Sequence, residues 1–312
     1  MKPAMRWNAD KVKRIVWGFQ GEGILFKTMV VFFLTLIGFV YLYPLMYMVS
    51  YSFMDTDDLI NPLVTWIPSR LFTDNYARAA AVVDFFGTLW ENVYVSFLPA
   101  LVQTAAAAVI GYGFARFRMT GKPILFALVL ATFVIPPQIT MIPQFLMFRD
   151  LNLIGSVFAY VLPAAFGQGL KSGLFILIFY QFFRSIPKAL EEAAQIDGAG
   201  AWKVFAIICV PMAVPAFIIS FLFSMVWYWN ETTLAALYFG DQLSTLPLQL
   251  QKFAATYEKL YPVDPNSQTG RSLNEAINMA GTFLNILPLL IVYFFAQRWF
   301  VESIERSGIT GE

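Results

Sequence analysis

Between two long apolar runs, residues 187–211 read PKALEEAAQIDGAGAWKVFAIICVP. The leading proline needs no amide partner in a first helical turn, and Glu191 and Glu192 follow where the helix dipole favours negative charge. Gly198 is of the residue type that commonly ends a helix. The stretch therefore predicts a short helix over about 187–200, with a narrow face of small residues and acidic side chains nearby.

Apolar runs on both sides of this stretch are long enough to cross a bilayer, because about 20 residues at 1.5 Å each cover its ~30 Å hydrocarbon core. Six such runs occur, at 29–50, 92–115, 123–147, 156–183, 207–229 and 277–296. The predicted fold class is therefore all-α integral membrane, with six transmembrane helices. Pro136 and Pro137 fall inside the third run, and proline removes a helical hydrogen bond, so we expect that helix to be kinked or broken.

The spans divide the chain into a membrane core and polar segments. The division is a cytoplasmic N-terminal tail at 1–28, the first span at 29–50, an outer loop at 51–91, a core at 92–296 that holds the short helix and an outer loop at about 230–276, and a cytoplasmic C-terminal tail at 297–312. Lys and Arg favour the cytoplasmic side of a membrane, and this orientation puts 14 of them inside and 6 outside. The inner segments then carry a net +6 and the outer segments a net −6, which the overall charge of +1 conceals.

The composition excludes several classes of function. Hydrophobic residues make up 58% of the chain and charged residues 13%, against roughly 45–50% and about 25% in soluble domains. Because the chain has no histidine, it has no His-based catalytic triad, no His-ligated metal and no His proton relay. It also lacks a G-x-x-x-x-G-K-[ST] phosphate loop, so another chain must hydrolyse any nucleotide that powers transport. We expect a transport subunit, not an enzyme, with no metal or cofactor bound by this chain.

The spacing of residues in the 187–211 stretch is specific. Glu192-Ala193-Ala194, three residues, Gly198, nine residues, Ile208, one residue and Val210-Pro211 match the pattern E-A-A-x3-G-x9-I-x-L-P, with valine in place of leucine. The chain thus resembles the permease subunits of binding-protein-dependent ABC importers for carbohydrates, and among them the six-span permeases of the maltose type. The resemblance extends from Phe72 to the C-terminus, through residues 72–76, 113–118, 142–143, 183–188, 229–231, 245–247 and 297–301. One departure is an outer segment at about 256–275, which is longer than in the family.

The resemblance implies a type I ABC importer permease fold, in which the 187–200 helix is a coupling helix seated in a cleft of an ATP-hydrolysing subunit. The coupling residues that it implies are Glu191, Glu192, Ala193, Ala194, Asp197 and Gly198. The implied partners are a second permease, two ATP-binding subunits that use ATP and Mg²⁺, an extracytoplasmic solute-binding protein, a sugar substrate and membrane lipid, with no nucleic acid. The implied location is the cytoplasmic (inner) cell membrane of a prokaryote, with both termini in the cytoplasm.

Polar side chains inside the spans indicate a translocation path, because a polar group in a bilayer is costly unless it faces an aqueous cavity or a partner helix. The candidate path residues are Gln138, Gln168, Lys171, Trp229, Asn230 and Asn285. For Lys171, an ion pair with an acid such as Glu231 is favoured over snorkelling and over binding an anionic sugar. For the aromatic residues 227–229, an aromatic belt at the membrane edge is the favoured interpretation.

Two alternatives remain open. An ABC permease for another solute, such as a phosphodiester or a peptide, would carry the same coupling helix and would differ in the ligand that stimulates ATP hydrolysis by the assembled complex. An ion-coupled secondary transporter would work alone. The sequence shows no clear internal repeat and few buried acids, which disfavours the second alternative.

Overall fold

Helices make up the regular structure of the protein. A computed structural model describes residues 23–262 and 273–308, and within these ranges there is no strand. The helices are α1 Ile24–Ser52, α2 Thr56–Ile60, α3 Asp74–Val82, α4 Phe85–Arg116, α5 Lys122–Val134, α6 Pro137–Asp150, α7 Phe158–Ala165, α8 Ser172–Ser185, α9 Lys188–Ile196, α10 Ala201–Val204, α11 Val210–Met212, α12 Val214–Asn230, α13 Thr233–Phe239, α14 Leu246–Gln251, α15 Phe253–Leu260 and α16 Glu275–Gly308, with a π-helical turn at Phe205–Cys209.

Three of the described helices are long and apolar enough to cross a membrane alone: α1, α4 and the 275–299 part of α16. Three further pairs of helices pass the same test together but are bent, by 95° between α5 and α6, by 72° between α8 and α9, and by 77° between the α10–α11 arm and α12. Counting each bent pair as one span gives up to six spans. The predicted all-helical membrane fold is confirmed.

The predicted break in the third apolar run is confirmed. Helix α5 ends at Val134, and α6 begins at Pro137 after Ile135 and Pro136 adopt extended backbone conformations. A residue that precedes proline is pushed out of the helical region by the proline ring, which explains why Ile135 cannot continue α5.

The fourth apolar run differs from the single span that the sequence predicts. Helix α7 ends at Ala165 and α8 begins at Ser172, with a turn at 166–171 between them. Gly167 and Lys171 lie in the left-handed region, at φ 70° and 57°, and this conformation cannot continue an α-helix. The run is therefore two helices and not one continuous helix, which hydrophobicity alone does not reveal because it does not report the backbone conformation of the Gly-rich turn.

The fifth apolar run begins later than predicted. Its first residues belong to the α10–α11 arm, and the long helix of this run, α12, starts at Val214, beyond the 77° bend. Pro211 and Pro215 lack amide hydrogens on either side of Ala213, so the helical hydrogen-bond ladder is interrupted at the bend.

The described residues divide into two compact units, one formed by residues 23–76 together with Asn274–Phe283 and the other by the remaining described residues. In the first unit, Tyr47 donates a hydrogen bond to Glu275 Oε1 at 2.8 Å, and Asn75 Nδ2 donates to the carbonyls of Ser52 and Met54. Asp55 lies in the loop after α1. The Asp58 amide that donates to it, followed by the Arg70 side chain, holds the pKa of the Asp55 carboxyl below its usual value.

The second unit is built around α4, which packs against α8 and α12. Helices α4 and α8 approach each other closely at Gly111, where a methyl group would lie 2.6 Å from Phe179 Cβ and 2.9 Å from the Tyr180 backbone nitrogen. Around this contact, buried aromatic rings from several helices pack at centroid separations near 5 Å, including Phe179 against Phe217 at 4.7 Å. Only glycine at position 111 permits this approach of the two helices.

Gly111→Ala should therefore lower the stability of the protein, because overpacking a helix contact of this kind costs about 1–3 kcal/mol. Gly113→Ala, two residues along the same helix, is the matched control, since no atom lies within 4 Å of a methyl group there. The control should be neutral or slightly stabilising, because alanine favours a helix over glycine by about 0.5–1 kcal/mol. Thermal unfolding of the detergent-purified variants measures the difference, and equal melting temperatures would contradict the close contact.

Candidate functional site

The polar stretch at 187–211 forms a short helix, α9, that is fixed to the membrane core by a buried ion pair. Glu191 Oε1 lies 2.5 Å from Arg116 Nε, and both side chains are less than one tenth exposed. The contact is an ion pair without the alignment of a hydrogen bond. Arg116 also donates from Nη2 to the Ile186 carbonyl at 2.7 Å, and the Cys209 thiol donates to Glu191 Oε1 at 3.5 Å. These contacts join the end of α4, the start of α9 and the arm that follows.

The opposite side of α9 is open to solvent. Glu192 and Ala193 are exposed there, and the apolar Ile196 is 86% exposed. Asp197 and Gly198 follow at the exposed C-terminal end of the helix. A helix face with a large uncovered aliphatic residue next to small and acidic residues is suited to packing in a groove on another protein.

The end of α9 depends on Gly198, which adopts φ 81°. Its amide donates to the Gln195 carbonyl at 3.0 Å, and the Ala199 amide donates to the Ala194 carbonyl at 2.9 Å. This left-handed C-terminal turn satisfies the last carbonyls of the helix and strongly favours glycine. No atom lies within 4 Å of a methyl group built at this position, so its surroundings leave room for a partner to come close to the backbone.

Of the six predicted coupling residues, five are on or near the open side of α9 and one is not. Glu192, Ala193, Asp197 and Gly198 are exposed and Ala194 is half-buried. Glu191 is 7% exposed and engages Arg116, so in this conformation it holds the helix in place and does not face a partner. The sequence assigned Glu191 to the helix dipole and gave no signal for the long-range ion pair.

A second feature of the same unit is a cavity of about 380 Å³. It lies where α5 gives way to α6, where the 166–171 turn joins α7 to α8, and where α12 ends. Its polar wall includes Thr140, Gln144, Tyr160, Gln168, Lys171 and Asn230. The size falls within the range of small-molecule sites, and the mixture of amide, hydroxyl and aromatic groups can hydrogen-bond and stack on a polar ring.

The cavity collects three of the six predicted path residues, namely Gln168, Lys171 and Asn230. Gln138 is exposed at the start of α6 and does not line the cavity. Trp229 is 1% exposed and packed inside the protein, and Asn285 lies away from this wall on α16. Hydropathy alone could not separate the path residues that line the cavity from those that do not. A polar residue in an apolar run gives the same signal whether its side chain faces the cavity or another part of the protein.

The expected ion pair between Lys171 and Glu231 is not formed. Both residues line the cavity, but in the described part of the chain Lys171 has no carboxylate within ion-pair distance, and its Nζ lies 5.4 Å from the centre of the Phe133 ring. Glu231 instead accepts the Leu234 amide at 2.9 Å, at the start of α13. The prediction is wrong because the left-handed turn at Lys171 places its ammonium group over the Phe133 ring and not beside Glu231.

The aromatic belt predicted at 227–229 is also wrong for two of its three residues. Tyr228 and Trp229 are each 1% exposed, so they do not sit at a lipid interface. The Tyr228 hydroxyl donates to Gln103 Oε1 at 2.8 Å and accepts the Leu170 amide at 3.2 Å, while Gln103 Nε2 donates to the Leu170 carbonyl at 2.8 Å. This triangle fixes the 166–171 turn against α4 and α12.

Several cavity residues were missed by the sequence analysis, among them Tyr160 and Tyr238. Both phenols lie in the cavity wall, and Tyr238 Oη donates to Gln144 Oε1 at 3.2 Å. Tyr160 carries a hydroxyl group within an apolar run, and this feature of the sequence could have marked it as a candidate cavity residue. Tyr238 lies in a segment that was predicted to be an outer loop, and only the path of α13 brings it to the cavity.

Comparisons with known proteins agree on one family. Residues 103–306 match the family model described as binding-protein-dependent transport system inner membrane component. The polygalacturonan/rhamnogalacturonan transport system permease protein YtcP of Bacillus subtilis (strain 168) is 27% identical over 92% of this chain and 99% of its own length. The arabinooligosaccharides transport system permease protein AraQ of Halalkalibacterium halodurans is 27% identical over 88% of this chain and 93% of its own.

The fold agrees with that of a solved transporter. A chain from the crystal structure of a bacterial ABC transporter involved in the import of the acidic polysaccharide alginate superposes with a TM-score of 0.69, over 88% of this chain and 96% of that chain. Its sequence identity to this chain is 22%, and the likeness therefore supports the fold alone.

The ion pair at the base of α9 generates a stability prediction. Glu191→Ala should destabilise the protein by about 3–5 kcal/mol, because it leaves the Arg116 charge buried without its partner. Replacing both partners, with Arg116→Met and Glu191→Met, should recover most of the loss because no charge remains buried. Glu192→Ala, the exposed neighbour, is the matched control and should change stability by no more than about 0.5 kcal/mol.

Thermal unfolding of the purified protein in detergent measures these differences. If Glu191→Ala and Glu192→Ala melted at the same temperature, the buried ion pair would not be the anchor of α9.

Proposed function

Because the chain belongs to the family of binding-protein-dependent transport system inner membrane components, we propose that it is the permease subunit of an ATP-driven importer for a sugar or oligosaccharide. The observation that carries the proposal is the presence, in one unit, of two features: the α9 helix, which is anchored on one side and exposed on the other, and a polar and aromatic cavity. The first is what a subunit driven by a separate ATPase needs, and the second is what a carbohydrate path needs.

In the proposed mechanism, α9 is the coupling helix. Its exposed face, with Glu192, Ala193, Ile196 and Gly198, seats in a cleft of an ATP-binding subunit. When two such subunits close on ATP and Mg²⁺, the helix moves with them. Since Glu191 ties α9 to Arg116 at the end of α4, displacement of the helix is transmitted to α4 without a flexible linker. The chain itself binds no nucleotide and performs no hydrolysis.

The cavity is the proposed section of the sugar path in this subunit. Amides such as Gln168 and Asn230 match the hydroxyl groups of a sugar, and the ring of Trp227 offers an apolar face against which a sugar ring can stack. Two relatives are named for the transport of polygalacturonan or rhamnogalacturonan and of arabinooligosaccharides, which supports a saccharide as the solute.

The remaining components complete the importer. A second permease pairs with this subunit to enclose the path, two ATP-binding subunits dock on the cytoplasmic side, and a solute-binding protein delivers the sugar to the outer loop at about 230–276. The protein is a multi-pass protein of a prokaryotic cell membrane. Both termini lie in the cytoplasm in this proposal, since that orientation puts most Lys and Arg residues on the inner side.

Two substitutions on the exposed side of α9 test the coupling role. Glu192→Lys reverses a charge on the proposed docking face, and Gly198→Asp adds a carboxylate where a partner must approach the backbone closely. Each should reduce ATP-driven sugar uptake to background while membrane insertion stays intact, because the helix would no longer seat in its cleft. Uptake of labelled sugar by cells and membrane fractionation measure the two properties.

Asp57→Lys is the control, because it makes a comparable charge reversal at an exposed residue of the outer-loop helix α2. It should leave uptake near the wild-type rate. Wild-type uptake by both α9 variants would refute the coupling role of this helix.

A further inference from the structure

We propose that the end of the cavity formed by Lys171 and Ser172 binds a carboxylate, and that the saccharide carried by this subunit is acidic. The inference rests on the proposed function and adds the chemical class of the substrate. It starts from Lys171, the cation that lines the cavity without an acidic partner in the described part of the chain.

The position of Lys171 is imposed by an unfavourable backbone conformation. At φ 57° it is one of three non-glycine residues of the described chain in the left-handed region, where a side chain other than that of glycine or asparagine costs about 1–2 kcal/mol. The turn around it is held by the hydrogen bonds of Leu170 to Tyr228 and Gln103. A lysine kept in such a conformation at the wall of a cavity indicates a function for its charge.

The helix that begins beside Lys171 adds a second positive element. Helix α8 has 14 residues, and its N-terminus carries partial positive charge that favours an anion. Its first residue, Ser172, is 4% exposed and lines the cavity, yet its hydroxyl has no hydrogen-bond partner among the described residues.

A second buried hydroxyl in the cavity wall is equally unpartnered. Tyr160 is 3% exposed, and its Oη has no partner in the described part of the chain. Buried polar groups are nearly always hydrogen-bonded, and both of these residues line the cavity, so a ligand there would lie next to two hydroxyls whose hydrogen-bond capacity no described residue uses. A carboxylate accepts from hydroxyls and from an ammonium group, and it donates nothing that would conflict with them.

Glu231 lines the same cavity, and its Oε1 accepts the Leu234 amide. It forms no ion pair with Lys171 in the described part of the chain, so the ammonium group stays available to a ligand. Lys171 Nζ lies over the Phe133 ring, which can also pack against the apolar face of a sugar. The cavity therefore combines an anion-binding end with aromatic and amide walls, which is the arrangement expected for a uronate ring.

The test compares two probes that share the same sugar rings, one charged and one neutral. Trigalacturonate carries three carboxylates, and its trimethyl ester has the same rings without the charges. Binding of each to the full chain in lipid nanodiscs is measured by calorimetry. The wild-type protein should bind the acid at least about 10-fold more tightly than the ester, a difference of about 1.4 kcal/mol. Lys171→Gln should abolish the preference, and Lys171→Arg should retain it.

Two further variants keep the result interpretable. Lys122→Gln removes the same charge from the first residue of α5, outside the cavity, and should leave the preference unchanged. Asparagine adopts the left-handed conformation more readily than other non-glycine residues, so Lys171→Asn should fold even if Lys171→Gln folds poorly. This variant should also lose the preference.

Three results would overturn the proposal: equal binding of acid and ester by the wild type, an undiminished preference in the folded Lys171→Gln or Lys171→Asn variant, or competition by inorganic phosphate as strong as that by trigalacturonate, which would indicate a site for a free oxyanion. These outcomes are independent of the uptake defects expected for Glu192→Lys and Gly198→Asp, so the importer role stands or falls separately.

Discussion

The buried ion pair between Arg116 and Glu191 is the constraint on which the cytoplasmic end of the second unit depends. Arg116 lies in the last turn of α4 and Glu191 in the first turn of α9, so each charge also meets the helix end whose dipole favours it. A charge left alone in this position would be costly, and the two residues are therefore held together more firmly than a surface ion pair would be. Helix α9 therefore stays attached to the core when a partner bound to its exposed face displaces it.

Helix α4 links this anchor to the cavity. Its last turn holds Arg116, its glycine at 111 allows α8 to approach, and its Gln103 fixes the turn that carries Lys171. Because these contacts lie along one continuous helix of 32 residues, displacement of α9 has a packed path to the cavity wall. An interior packed this closely cannot absorb the displacement by small local adjustments, which favours movement of α4 and α8 as stiff elements.

The sequence predicted the parts of this arrangement that local chemistry decides. Three such signals each act over a short stretch of the chain: the helix-start proline, the spacing from Glu192 to Pro211, and the proline pair in the third run. They predicted the short helix, the family resemblance and the helix break. The parts it could not predict depend on residues far apart in the chain. Glu191 and Arg116 are separated by 75 positions, and Tyr228 finds Gln103 across 125. Hydropathy marked residues 227–229 as apolar and aromatic but could not tell a lipid interface from a protein interior, because both favour the same side chains.

Lys171 shows how the two kinds of information combine. Its sequence context identified a cation within an apolar run and left three alternatives, of which an ion pair with Glu231 was favoured. The structure removes that alternative, since no carboxylate of the described residues lies within ion-pair distance of Lys171, whose ammonium group lies over the Phe133 ring. Snorkelling is disfavoured as well, because the side chain lines a cavity whose neighbouring hydroxyls lack partners. A charge within the bilayer region costs about 2.5–3.5 kcal/mol on insertion scales, and strain in its backbone adds to that cost. Such a residue is best explained by a ligand of opposite charge that arrives and leaves, since a permanent partner would stabilise the resting protein but close the path.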